Sequence, residues 1–204
     1  MESIKSSKGN PLFIVIDGGD SCGKDTYARG IARYYQKKGF RVYVRSHPST
    51  DNPFGQITKR VIEQGGKKGH LKADFFYTID VIRSLVMYYR HNENEVVIFS
   101  RYLLGVCYLP RSLVFFGYNL FSNFLPISPY FFFLGVLPKV AKERINRRGE
   151  KLEMFESPTR LKKMRLKMQV VTRKNNWFQI DGEFPQFKYG FKLEITLGSL
   201  ILKL

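Results

Sequence analysis

Apolar and polar residues alternate along this chain in blocks of two kinds. Short runs rich in β-branched and aromatic residues occur at Leu12 to Asp17, Phe40 to Arg45, Val96 to Phe99, Pro129 to Val136 and Trp177 to Ile180. Their length and the flanking turn residues predict strands, the first of them buried on both faces. Between them lie segments with helical spacing: Lys24 to Lys38, closed by Gly39, a short helix ending near Gln64, and a long one from Leu71 to His91. Pro138 suits the first position of a helix running to about Arg148, and a charged helix follows. Strands alternating with helices over short links predict a single α/β domain, with a parallel sheet covered by helices on both faces. The core spans about 11–182, and the tail 183–204 carries no clear period.

One stretch tests that picture. Ser112 to Pro138 contains no charged residue and nine Phe or Tyr, long enough to span a membrane. Gly117, Asn119, Asn123, Pro126 and Pro129 interrupt it, so the expectation is a helix, a turn and a buried strand. The start of the chain offers only Leu12 to Ile16 as an apolar run, too short for a signal segment. Cys22 and Cys107 are far apart, which excludes a disulfide framework and a zinc pattern. His47, His70 and His91 read as solvated loop or helix-end residues. A cytoplasmic protein with no integral membrane span is expected.

Charge narrows the partners. The 204 residues carry 34 Lys and Arg against 17 Asp and Glu, a formal net charge of +17. Such a balance favours anions such as free nucleotides or polyphosphate, and does not exclude nucleic acid.

The segment that carries chemistry follows the first strand: Gly18-Gly19-Asp20-Ser21-Cys22-Gly23-Lys24-Asp25-Thr26. A glycine, four residues and Gly-Lys opening a helix form the Walker A phosphate-binding pattern of P-loop proteins. Glycines let consecutive N–H groups turn inward at a helix N-terminus, and Lys24, expected at an exposed loop end, reaches the terminal phosphates. The pattern wants Ser or Thr after the lysine as a Mg²⁺ ligand, and here the residue is Asp25. A carboxylate is itself a hard-oxygen ligand, so Asp25 is the candidate metal residue. Cys22 beside the helix N-terminus would have a lowered pKa, although a small residue that simply fits is the plainer reading.

These motifs resemble the thymidylate kinase family, whose loop Gly-x-Asp-x-x-Gly-Lys-x-Thr falls on Gly18, Asp20, Gly23, Lys24 and Thr26. The resemblance runs from about Leu12 to Gly182 and implies a three-layer P-loop fold with an arginine-rich lid at about 147–158. It implies an ATP- and Mg²⁺-dependent nucleoside monophosphate kinase of nucleotide biosynthesis, which a homodimer would suit. Asp20 would contact the acceptor's 3′-hydroxyl. Ser100-Arg101-Tyr102 matches the family's Asp-Arg-Tyr at its last two residues, so Arg101 and Tyr102 join the acceptor site and Arg101 holds its phosphate. Arg147 or Arg148, in an Arg-rich helix end before Gly149-Glu150, would close over the donor phosphates, because Ser21 stands where some members carry a loop arginine. The family's acceptor helix has Phe-x-x-x-Arg, the phenylalanine stacking on thymine. Arg83 is the candidate arginine here, but Ile79 precedes it by four.

Two alternatives follow from the departures. A polyphosphate-using P-loop kinase also tolerates a residue without a hydroxyl after the lysine. A catalytically impaired nucleotide- or nucleic-acid-binding protein would account for Asp25 and Ser100 together.

Overall fold

The computed structural model describes residues 11–64, 69–90, 95–148 and 157–183. Five strands form one sheet: β1 (Leu12–Gly18), β2 (Val42–Ser46), β3 (Val96–Ser100), β4 (Tyr130–Gly135) and β5 (Phe178–Asp181). Their order is β2-β3-β1-β4-β5, and every pairing is parallel. The helices are α1 (Lys24–Lys37), α2 (Pro53–Gln64), α3 (Gly69–Ser84), α4 (Val114–Phe124), α5 (Pro138–Arg148) and α6 (Pro158–Lys174). Five of the expected strands and the helices between them are therefore present.

The boundaries shift for identifiable reasons. The N–H of Phe40 closes the end of α1 on the Tyr35 carbonyl, and Arg41 pairs with Glu95, so β2 begins only at Val42. The long helix expected over 71–91 starts earlier, at Gly69, and loosens after Ser84 into a wider π-helical turn, Leu85–Tyr89. The uncharged stretch divides into the eleven-residue α4 and the buried β4. Among the described residues, no helix is long and apolar enough to cross a membrane.

Strand alternation fills two cores. Leu12, Ile14 and Ile16 of β1 pack with Val96, Ile98 and Phe132 against Ala28, Ile31 and Tyr35 of α1 and Ile145 of α5. Phe13 and Val15 face the other way, with Phe99 and Phe131, against Val81 of α3 and Met168 of α6. Burial of each such side chain stabilises the fold by about 1.5–3 kcal/mol.

β1 is central, with β3 and β2 to one side and β4 and β5 to the other. The crevice at its carboxyl end is where an open parallel sheet with this change of direction binds ligands.

Candidate active site

The loop leaving β1 lies at that crevice. A Cβ on Gly18 would clash with the Leu134 carbonyl oxygen, so only glycine lets β1 and β4 close there. Gly23 caps α1 at φ 95°, a conformation that favours glycine, and contributes no side-chain cap. The first amides of α1 are therefore left available to an anion. Lys24 is 2% exposed, not at an open loop end as expected. Its Nζ donates to the Gly19 carbonyl at 2.9 Å and so stays folded across the loop. Ser21 has φ 56°, and its Oγ is buried without a partner among the described residues. The Cys22 thiol is buried, and that burial pushes its pKa up, overriding Lys24. A lowered pKa at the helix N-terminus is thus overturned, and Cys22 is the small packed residue. The Thr26 hydroxyl accepts from Arg29 on the exposed side of α1.

Asp25 has the most informative environment. Its Oδ1 accepts from Ser100 Oγ at 2.7 Å and from Ser46 Oγ at 2.8 Å. Burial opposes its charge, but those hydroxyls with Arg101 and Lys24 hold the carboxyl below its ordinary range. Asp25 is therefore ionised at neutral pH. The hydroxyl expected after the lysine sits across the crevice, at the end of β3, while the carboxylate sits on the loop. Among the described residues there is no cluster of three His, Cys, Asp or Glu able to hold a metal. A set of oxygens centred on Asp25, Ser46 and Ser100 does fit Mg²⁺, which takes one or two carboxylates and completes its shell with water and substrate phosphate.

Arg101 stands at φ 61°, a strained conformation that turns its side chain back over the loop. Its guanidinium lies 3.4 Å from Asp20 Oδ1, and Tyr108 donates to Asp20 Oδ2 at 3.2 Å. Burial works against the Arg101 charge, and the carboxylates of Asp20 and Asp25 more than restore it. His47 braces this arrangement: its Nδ1 meets the Arg101 carbonyl at 3.0 Å, and Arg101 Nη1 donates to the His47 carbonyl. His47 is fully buried, contrary to the solvated reading, and burial lowers its pKa to about 4. The His70 side chain and His91 lie outside the described residues. Asp17 ties the next segment down by accepting from the amides of Gly18, Tyr102 and Leu104.

Several of these groups line a cavity of about 510 Å³. From the loop and strand ends it is lined by Asp17, Gly18, Asp20, Asp25 and Arg101. Tyr102 is also in its wall, but its hydroxyl donates away, to the Pro126 carbonyl. From α3 the cavity is lined by Ala73, Asp74, Phe75, Tyr77, Thr78 and Val81. Arg83 is not among the lining residues. Three pairs four apart on α3 line the cavity, Ala73–Tyr77, Asp74–Thr78 and Tyr77–Val81, and none of them joins an aromatic to an arginine.

The expected lid falls on residues 147–158, of which 149–156 lie outside the described residues, as do the Arg148 side chain and the tail 184–204. Arg147 is exposed at the end of α5. Two other arginines reach the loop. Arg144 donates to the carbonyls of Ser21, Cys22 and Gly182. Arg165 of α6 lines a small crevice with Gly19 and Asp20, and its Nε is buried without a partner among the described residues. The run of 13 basic residues between Lys139 and Lys174 signalled this region, but α6 periodicity alone did not single out Arg165.

The family profile described as thymidylate kinase matches residues 16–188. The chain belongs to the thymidylate kinase family. A probable thymidylate kinase of Thermoplasma acidophilum is 30% identical over 168 residues, which cover 76% of this chain and 80% of that relative. The match to the probable thymidylate kinase of Thermococcus onnurineus is stronger but shorter, 45% over 58 residues, or 28% of either chain. The solved thymidylate kinase of Candida albicans superposes with a TM-score of 0.68 at 16% identity, over 95% of this chain and 92% of that one. That likeness supports the P-loop α/β fold.

Proposed function

We propose that this member of the thymidylate kinase family is an ATP-dependent nucleoside monophosphate kinase. One observation carries the reading: Gly18, Asp20 and Asp25 belong to the phosphate loop and also form the wall of the 510 Å³ cavity. A donor phosphate on the loop and an acceptor phosphate in the cavity would therefore meet end to end. An oxygen of the acceptor phosphate attacks the γ-phosphorus of ATP, the bond to the bridging β-oxygen breaks, and two diphosphates leave.

Such a transfer is mostly positioning and charge neutralisation. Lys24 and the first amides of α1 hold the donor phosphates, with the orphaned Ser21 hydroxyl beside them. Arg101 holds the acceptor phosphate and stays protonated throughout. Arg165 comes over the loop from α6 to meet charge on the transferring group. Mg²⁺, when bound, neutralises the donor oxygens, and Asp25 with Ser46 and Ser100 would hold it. The impaired-binder alternative took Asp25 and Ser100 as losses, and their mutual hydrogen bond supports a rearranged pair instead. The reading puts the enzyme with its nucleotides in the cytoplasm.

The test is an acceptor screen with purified protein, ATP-Mg²⁺ and each nucleoside monophosphate, detecting the diphosphate product. Lys24→Met keeps the buried stem and removes the charge, so it should slow transfer ~10²-fold or more without altering the circular dichroism spectrum. Full turnover by a folded Lys24→Met protein would end the kinase reading.

A further inference from the structure

The cavity wall carries a group that phosphate transfer does not use. Asp74 lines the cavity from the second turn of α3, one turn before Tyr77. Among the described residues its carboxylate has neither an ion pair nor a hydrogen-bond donor. Two threonine hydroxyls of the helical wall are engaged: Thr78 donates to the Asp74 backbone carbonyl and Thr58 to that of Phe54. Cations on the cavity wall are Arg101, held at the phosphate end by Asp20, and Lys59, exposed on α2. The same wall also offers apolar surface, including Val81, Leu104, Val106 and Leu109.

We propose that Asp74 selects the acceptor base and that the base it selects is guanine. The inference rests on the reading of this cavity as the acceptor site. An ionised carboxylate only accepts hydrogen bonds, and it has two oxygens side by side. Guanine alone among the common bases offers two adjacent donors on its pairing edge, N1–H and the 2-amino group. Thymine offers one N–H between two carbonyls, so a carboxylate that takes the N–H also faces the lone pairs of an oxygen. Cytosine and adenine each place an acceptor nitrogen beside their amino group. A buried polar group left without its partner discriminates far more strongly than a lost apolar contact. Val81 adds to the selection, because it offers no donor to a thymine carbonyl. Guanine O6 needs a donor in turn, and Lys59 can supply it from the rim.

Burial raises the Asp74 pKa to about 6. The carboxylate is therefore charged at pH 7.5, and the preference should fade as pH falls through that value. The other titratable groups around the cavity are Asp17, Asp20 and Asp25, Lys59 from α2, Tyr77 from α3, and Arg101, Tyr102 and Tyr108 after β3. All are present in both native protein and Asp74→Asn, so comparing the two isolates Asp74.

The experiment measures kcat/KM for GMP, dGMP, CMP, dCMP, UMP, AMP and dTMP with the full chain, and calorimetric binding of GMP and dTMP without ATP. The expected result is a guanine preference over dTMP of at least ~10-fold, the discrimination lost with one unpaired group. Asp74→Asn should collapse that ratio, and native protein should lose it between pH 7.5 and 5.5. Preference for any other base, or a ratio indifferent to Asp74→Asn and to pH, would overturn the assignment. Binding separates the two proposals. Asp74-dependent GMP binding without turnover would leave the base assignment standing and remove the kinase, whereas turnover of dTMP in preference to GMP would do the reverse.

Discussion

At the scale of single residues, Asp25 and Ser100 show two departures that make sense only together. In a loop ending Lys-Thr, a hydroxyl would face a carboxylate at the end of β3. Here the carboxylate is on the loop and the hydroxyl on the strand, 2.7 Å apart. Exchanging both keeps one carboxylate at this contact, and Ser46 adds a second donor from β2. Ser100→Asp alone would put two carboxylates at hydrogen-bond distance, which cannot both ionise without raising a pKa. That protein should lose most activity, and Asp25→Thr alone should need more Mg²⁺. The double change should recover much of the loss, with the Mg²⁺ dependence of activity and of ATP binding as the measurements. Additive effects of the two changes would refute the coupling. Each departure was legible in the sequence, whereas their contact, across 75 positions of chain, was not. Ser46 had no signal at all, because a serine at a strand end is common.

Among the elements, periodicity located strands and helices because each is short, apolar on a definite face and bounded by Gly or Pro. It failed where facing is set by tertiary packing. Counting from Arg83 does not lead to the cavity, because Arg83 is a basic residue in a plausible place that the cavity lining does not include. The positions that face the cavity, Asp74, Tyr77, Thr78 and Val81, follow a helical spacing that becomes visible only once the cavity is located. The basic helices pose the same problem. Arg147 at the end of α5 is exposed, while Arg165, half-buried next to Met164 on α6, reaches Gly19 and Asp20. If Arg165 meets charge that develops during transfer, Arg165→Ala should lower kcat ~10²-fold with a smaller change in KM. Arg147→Ala should do less. The reverse ranking in steady-state kinetics would return the role to the end of α5.

For the molecule as a whole, the charge of +17 has a use that no single contact expresses. Over half of it, a net +9, lies between Lys139 and Lys174, in the stretch that includes α5 and α6, whose Arg144 and Arg165 reach the phosphate loop. Nucleotides are small polyanions, and a field of one sign around a cleft raises their encounter rate. Exposed charges act over about 10 Å at 0.1 M salt, so the effect should be screened far more than the part-buried Asp20–Arg101 and Asp25–Ser100 contacts. Raising ionic strength from about 0.05 to about 0.3 M should therefore lower kcat/KM for ATP several-fold and leave kcat nearly unchanged. Reversing exposed charges on α6, such as Lys162→Glu with Lys163→Glu, should flatten that dependence without touching the cavity. A kcat that falls with salt in step with kcat/KM would mean that the basic surface acts on the bound state rather than on encounter, and steering would be the wrong account.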